Sequence, residues 1–308
     1  MTRSKGCTNR KMLPVSLVML TALLLMLISG VPGAEARVYS YDGAETVVGL
    51  SRVYRVKEGE SLIEIARRFD LGYNEITDAN PGVDPFVPGN DTPVTLPTSW
   101  ILPDTSSRRG IVINLSELRL YYYFTVKGVK YVRTFPVGIG REGDLTPAGT
   151  FRVVEKIVKP AWYVPESIRE ENPRLPKVVP AGPDNPLGSR ALRLSLPTIL
   201  IHGTNKPWGV GRRVSHGCIR LYPEDIPKLF AMVSWGTSVD IVRQPVKIGI
   251  RDGRVFVEVH KSDQGSHADY FQVAVRLLQS KELLNRVNTR KLYKAVESRN
   301  GMPVDITN

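Results

Sequence analysis

Cysteine is nearly absent from this 308-residue chain, which holds only Cys7 and Cys218. Two thiols cannot build a disulfide scaffold or a Cys-rich zinc module. Histidine is almost as scarce, with four residues. There are no internal repeats, and a single apolar run near the start excludes a polytopic membrane protein. No basic stretch is interleaved with aromatics, so a nucleic-acid-binding strip is missing although the net charge is +12. What the chain has in excess is 26 Gly and 23 Pro, above the usual combined share of roughly 12%. That favours a loop-rich, partly β protein over a helical bundle. With 42% hydrophobic and 23% charged residues, wholesale disorder is excluded.

The first residues carry an address. Arg3, Lys5, Arg10 and Lys11 precede fifteen uncharged residues, 15–29, and Ala34-Glu35-Ala36 places small side chains at the −3 and −1 positions of a cleavage site. The pattern predicts a secretory signal peptide over residues 1–36, cut after Ala36. The apolar run is short for a membrane span, which needs roughly 20 residues. Cys7 precedes it, is no lipobox cysteine, and leaves with the signal. Losing the four basic residues and Glu35 lowers the net charge from +12 to +9. Such a charge favours an anionic partner, and after export an acidic cell-wall polymer fits better than nucleic acid.

Residues 37–52 read as a linker and 53–98 as a small βααβ module. Val53-Tyr54-Arg55-Val56 alternates as a strand. Ser61 and Glu64 form a capping box, and Leu62, Ile65, Ala66 and Phe69 share one helical face that Gly72 closes. Asn74 is placed to cap a second helix through Ile76 and Ala79, stopped by Pro81. Val94-Thr95-Leu96 returns as a strand. With Tyr54-Arg55-Val56-Lys57-Glu58-Gly59-Glu60-Ser61-Leu62, Ile65-Ala66, Ala79-Asn80-Pro81-Gly82 and Val94-Thr95-Leu96-Pro97, the segment resembles a LysM domain. That resemblance implies binding to the N-acetylglucosamine backbone of peptidoglycan.

Residues 109–243 are β-rich. Residues 111–115 and 118–126 alternate as strands, and Lys127-Gly128 turns the chain into 129–137. Tyr121-Tyr122-Tyr123-Phe124 puts aromatics on both faces of a sheet, a packing pattern rather than a ligand box. Further strands are expected at 150–158, 191–202 and 238–242. The Pro/Gly-rich stretch 160–188 is too long for a plain connection and reads as a cap or lid. Residues 246–308 form a C-terminal extension: a hairpin with a type I′ turn at Asp252-Gly253, then helical text over 269–298.

Cys218 is the one thiol left after signal removal. In an oxidising compartment an odd cysteine is a reactive thiol or an intermolecular link. Ser215-His216-Gly217-Cys218 sets His216 two residues before it, and His202-Gly203 ends an expected strand. An imidazolium beside the thiol would favour thiolate, a nucleophile toward carbonyl carbon. Gly217 allows close backbone approach, and nearby amides can serve an oxyanion. Arg220 is the arginine best placed for a substrate carboxylate, whereas Arg212 and Arg213 read as solvated charges.

These residues resemble the L,D-transpeptidase family with a YkuD-type catalytic domain. The match rests on His202-Gly203-Thr204, Ser215-His216-Gly217-Cys218-Ile219-Arg220, Pro136-Val137-Gly138-Ile139-Gly140 and Thr146-Pro147-Ala148-Gly149-Thr150-Phe151. The residues 179–188 and the LysM arrangement look like the branch of periplasmic enzymes that link the major outer-membrane lipoprotein to peptidoglycan. The resemblance implies a mainly β catalytic domain with a β-sandwich-like fold, behind the LysM module and ahead of an α/β extension. It implies Cys218 as nucleophile, His202 as proton acceptor and donor, the Gly203 carbonyl orienting His202, and His216 with the Gly217 and Cys218 amides at the oxyanion. Arg220 and Ser215 are the expected substrate contacts. The implied reaction cleaves the bond between diaminopimelate and D-Ala in a tetrapeptide stem and passes the acyl group to an amine, of a lipoprotein Lys or of another stem, with no metal or cofactor.

Three other readings stay open. Water as acceptor would make an L,D-carboxypeptidase. A protein that only binds peptidoglycan would not need both a thiol and a base. A zinc site of His202, His216 and Cys218 lacks metal-finger spacing. His260 and His267 lie outside the motif and are read as packing or surface residues.

Overall fold

A computed structural model describes residues 1–2, 38–106, 108–261 and 269–308. Residues 3–36 of the predicted signal peptide, with Cys7 and Ala36, lie outside these residues, as does His267. Among the described residues no helix is long and apolar enough to cross a membrane. The described residues from Val38 onward form one compact unit.

Its centre is a mainly β architecture built on a nine-stranded sheet. The strands run in the order Val38–Tyr41, Val129–Pro136, Arg119–Val126, Gly110–Asn114, Ser238–Val242, Gly149–Val158, Arg190–Leu194, Leu200–His202 and Ile219–Arg220. Two joins are parallel, Gly110–Asn114 with Ser238–Val242 and Leu200–His202 with Ile219–Arg220. Lys127 and Gly128 both take positive φ, +47° and +81°, the geometry of a type I′ hairpin turn. Asp252 and Gly253 do the same at +50° and +69°, as their sequence predicts. The sheet curls, because Ile111, Ile113 and Leu120 from one half share a core with Leu192, Ile201 and Ile219 from the other.

Alternation sends the intervening side chains to the opposite face. There Val112, Tyr121, Tyr123 and Val132 pack with Leu62, Ile65, Leu71, Ile76, Val94 and Trp100 in one continuous core. The βααβ segment is therefore seated on the nine-stranded sheet, with which it shares its core. Residues 37–52, expected as a linker, carry two strands instead: Val38–Tyr41 at the edge of the main sheet, and Val47–Gly49 paired with Ser99–Ile101. The local pattern showed neither partner.

Within the LysM segment the strands Arg52–Arg55 and Pro93–Leu96 pair antiparallel around helices Leu62–Arg68 and Tyr73–Ala79. The Ser61–Glu64 capping box is present: Glu64 N donates to Ser61 Oγ, and Ser61 N donates to Glu64 Oε2 at 2.9 Å. Two expected boundaries move. Asp70, at φ +54°, takes the left-handed position after the first helix, and Gly72 starts the second helix, so Asn74 falls inside it. Glu75 explains the shift. Its Oε2 accepts from Gly72 N at 2.6 Å, and the carboxylate also takes Arg119 Nε at 2.7 Å and Trp100 Nε1 at 3.0 Å.

The expected strand 191–202 is two strands, Arg190–Leu194 and Leu200–His202, folded antiparallel on each other. Pro197 lies in the turn between them, where a proline leaves no ladder bond unmade.

The C-terminal extension is a three-stranded sheet of Val246–Arg251, Arg254–Val259 and Val304–Asp305, backed by helices Tyr270–Ser280 and Thr289–Ser298. A buried ionic knot ties it to the rest. Lys247 Nζ reaches Glu117 at 2.6 Å, Glu258 at 2.8 Å and the Ile101 carbonyl at 2.6 Å. His260 Nε2 meets Glu258 Oε1 at 2.6 Å, so His260 is a packing residue.

Candidate active site

A cavity of about 570 Å³ opens at the edge of the sheet where the parallel strands Leu200–His202 and Ile219–Arg220 lie. His202, Ser215, His216, Cys218 and Arg220 all line it. In the register His202 stands opposite Arg220 and Ile201 opposite Ile219, which brings Cys218 beside the strand that ends in His202. Gly203 follows, and a side chain there would meet Ile226 Cγ2 at 2.9 Å, so the helix Ile226–Met232 presses directly behind the histidine.

His202 is almost fully buried. Its Nδ1 lies 2.6 Å from the Gly203 carbonyl, an acceptor that fixes the proton on Nδ1 and leaves Nε2 with a lone pair. Burial, reinforced by the Arg220 charge, pushes its pKa down to about 3. Burial also pushes the Cys218 thiol above its ordinary range, against the opposing pull of the Leu200 backbone, Arg220 and Arg193. Cys218 Sγ sits 3.6 Å from the Thr198 carbonyl. The resting pair is thus a thiol and a neutral imidazole. The imidazolium-stabilised thiolate expected from the sequence gives way to desolvation, which disfavours both charges.

Arg220 is held by its backbone, exchanging hydrogen bonds of 2.8 Å with Gly138. Its buried Nε has no hydrogen-bond partner, and burial lowers its pKa. An unpaired, desolvated guanidinium in a cavity is a strong carboxylate binder.

Ser215 and His216 line the cavity and also make contacts that the sequence did not show. The Ser215 hydroxyl donates to the Cys218 carbonyl at 2.6 Å, so its proton tightens the turn and its lone pairs are what it can offer to a donor. Gly217 at φ +93° completes that turn in a conformation that L side chains rarely adopt. His216 lines the cavity but turns its Nε2 to Glu171 at 3.3 Å and Asp144 at 4.0 Å. Arg141 pairs with both carboxylates at 2.7 Å. It already supplies the positive charge that a cation among these groups would bring. Among the described residues His202, His216 and Cys218 do not gather as a ligand set.

Three other residues here had no individual role legible in the sequence. Thr146 Oγ1 accepts from Gly140 N at 3.0 Å and donates to the Gly217 carbonyl at 2.8 Å, pinning the thiol turn to the strand Ile139–Gly140. Asn185 Nδ2 donates to the carbonyls of Pro160, Val179 and Pro180, closing the base of the cap. Glu171 ends the cap helix Glu166–Glu171. Within the cap Trp162, Ile168, Leu175 and Val179 form an apolar roof over the cavity.

Comparison with known proteins places the chain in a family. Residues 108–241 match the L,D-transpeptidase catalytic domain (YkuD), and residues 54–85 match the LysM domain. The chain is 39% identical over 274 residues to the Escherichia coli K12 protein described as "Probable L,D-transpeptidase YcfS", covering 84% of this chain and 85% of that one. It is 40% identical over 277 residues to "Probable L,D-transpeptidase YbiS" of the same strain, covering 85% and 89%. To "Probable L,D-transpeptidase ErfK/SrfK" of Salmonella typhimurium LT2 it is 39% identical over 260 residues, covering 80% and 83%. The chain belongs to the L,D-transpeptidase family and carries a LysM domain.

Proposed function

We propose that this protein is an exported peptidoglycan L,D-transpeptidase working in the periplasm. The observation that carries the reading is the buried His202, tied through Nδ1 to Gly203 and lining one cavity with Cys218 and Arg220. The donor is a tetrapeptide stem bound with a carboxylate on Arg220. As Cys218 Sγ attacks the carbonyl carbon of the diaminopimelate–D-Ala bond, its proton passes to His202 Nε2. The tetrahedral oxyanion is met by backbone amides of the 216–218 turn. Collapse breaks the C–N bond, and His202 returns the proton to the leaving amine of D-Ala. A thioester remains on Cys218. An incoming amine then attacks it, giving its proton to His202, which restores the thiol.

The acceptor is an amine, either the ε-amine of a lipoprotein lysine or that of a second stem peptide. The LysM domain brings the enzyme to the glycan of the same wall.

The test is incubation with a purified disaccharide-tetrapeptide, with and without a lysine-ended peptide or a second stem, followed by mass spectrometry. Release of D-Ala, a thioester mass on Cys218 and an amide product are expected. A product formed only with water would make the protein a carboxypeptidase. Neither D-Ala release nor an adduct would end the proposal.

A further inference from the structure

We propose that the LysM domain is a working part of the reaction cavity, with Tyr73 as a positioning residue for the turn that carries Cys218. The proposal rests on the reaction given above and assigns it a dependence outside the catalytic domain.

The first amides of a helix have no partner inside it. In the helix Tyr73–Ala79 two of them are satisfied by the catalytic domain, since Tyr73 N donates to the Val210 carbonyl at 3.3 Å and Asn74 N to the Gly211 carbonyl at 3.2 Å. The two segments meet without slack. A β-carbon on Gly72 would lie 2.7 Å from Gly211 Cα, and one on Gly211 would lie 2.2 Å from Tyr73 N. Next along the loop, the Arg212 guanidinium rests 3.5 Å from the centre of the Tyr73 ring, a cation–π contact. The buried Arg212 Nε has no hydrogen-bond partner, so the ring is what holds that face. Arg212 lines both the reaction cavity and a second cavity of about 310 Å³ beside the LysM helix.

From Arg212 the constraint runs directly to the thiol. Gly211 N donates to the Val137 carbonyl at 3.1 Å, Ile139 N to the Arg212 carbonyl at 3.0 Å and Arg141 N to the Ser215 carbonyl at 2.9 Å. Ser215 Oγ then holds the Cys218 carbonyl. Residues 210–215 are clamped between the strand at 137–141 on one side and the start of a LysM helix on the other. Removing the Tyr73 ring frees the Arg212 guanidinium on the LysM side and leaves residues 210–215 held there by backbone bonds alone. Because thiol and imidazole are both neutral at rest, the proton must move during attack, and a displacement of about 1 Å can cost about 100-fold in rate. The effect therefore falls on kcat. The LysM domain itself stays docked through Glu75–Arg119, Arg67–Glu224 at 2.8 Å and the Tyr222 hydroxyl on the Leu71 carbonyl at 3.0 Å.

The experiment uses the full chain with Tyr73→Ala, Tyr73→Leu and Tyr73→Phe. Turnover is measured on a soluble disaccharide-tetrapeptide, too small to need wall anchoring, and sedimentation with purified sacculi reports wall binding. The expected result is a kcat lowered about tenfold or more in Tyr73→Ala and Tyr73→Leu, with KM and sacculus binding nearly unchanged. Tyr73→Phe, which keeps the ring over Arg212, restores kcat. Wild-type kcat in Tyr73→Leu, or equal loss in Tyr73→Phe, overturns the proposal. Should the wild type release no D-Ala, the proposed reaction fails separately. Positioning is then read from iodoacetamide alkylation of Cys218, where equal rates in wild type and Tyr73→Leu would defeat it.

Discussion

Arg119 and Glu75 meet at 2.7 Å across the boundary between the catalytic sheet and the LysM helix, both buried. The guanidinium also donates to the Asp70 carbonyl and Thr134 Oγ1, and it lies 4.1 Å from the centre of the Trp100 ring. Removing one member of such a pair leaves the other charged and desolvated. Glu75→Gln is expected to cost about 3–5 kcal/mol in denaturant unfolding. The double variant Glu75→Leu with Arg119→Met should cost less than the sum of its singles. A loss below about 1 kcal/mol for Glu75→Gln would show the contact to be incidental.

Alkylation of Cys218 by iodoacetamide should climb with pH through the ordinary thiol range and beyond it. Burial raises the thiol, and no imidazolium is present to lower it. A plateau already reached at neutral pH would instead reveal a thiolate–imidazolium pair.

His202→Ala should slow acylation by about 10²–10⁴-fold, the usual contribution of a positioned base. With a pKa near 3, His202 is deprotonated and competent from about pH 4 upward. The kcat/KM profile of the wild type should therefore show no acid limb near pH 6.5. An acid limb there that vanished in the variant would mean that the imidazole is not desolvated.

Asp70 predicts a pH-dependent stability. Burial first, and the neighbouring Asp225 second, raise its carboxyl to about 7, against Lys228, Arg119 and Arg133. A carboxyl raised in the folded state binds a proton that the unfolded chain releases between pH ~4 and ~7. Stability thus falls as pH rises through that window, by at most roughly 4 kcal/mol. Asp70→Asn should raise Tm by several degrees at pH 8 and by little at pH 4.5. A gain larger at pH 4.5 would reverse the assignment.

What the sequence disclosed was set by short-range rules. The Ser61–Glu64 box and the Asp252-Gly253 turn each depend on neighbours within a few residues. The neutral state of Cys218 and His202 did not show, because desolvation is a property of the packed cavity. The carboxylates around His216 come from 72 and 45 residues upstream, at Asp144 and Glu171, with no common pattern. Residues 38–49 looked like a connection because their strand partners lie at 129–136 and 99–101. Ser215 was read by its chemistry, and only the turn geometry shows that its hydroxyl proton is engaged by the Cys218 carbonyl.

The parallel pair Leu200–His202 and Ile219–Arg220 separates two inheritances. Its ladder keeps His202, Cys218 and Arg220 together, while the crossover between the strands contributes Asn205, Lys206 and Trp208 to the cavity wall. Exchanges at those three positions change what the cavity admits and leave the ladder untouched. A lineage built on this plan can take new guests without reinventing its chemistry.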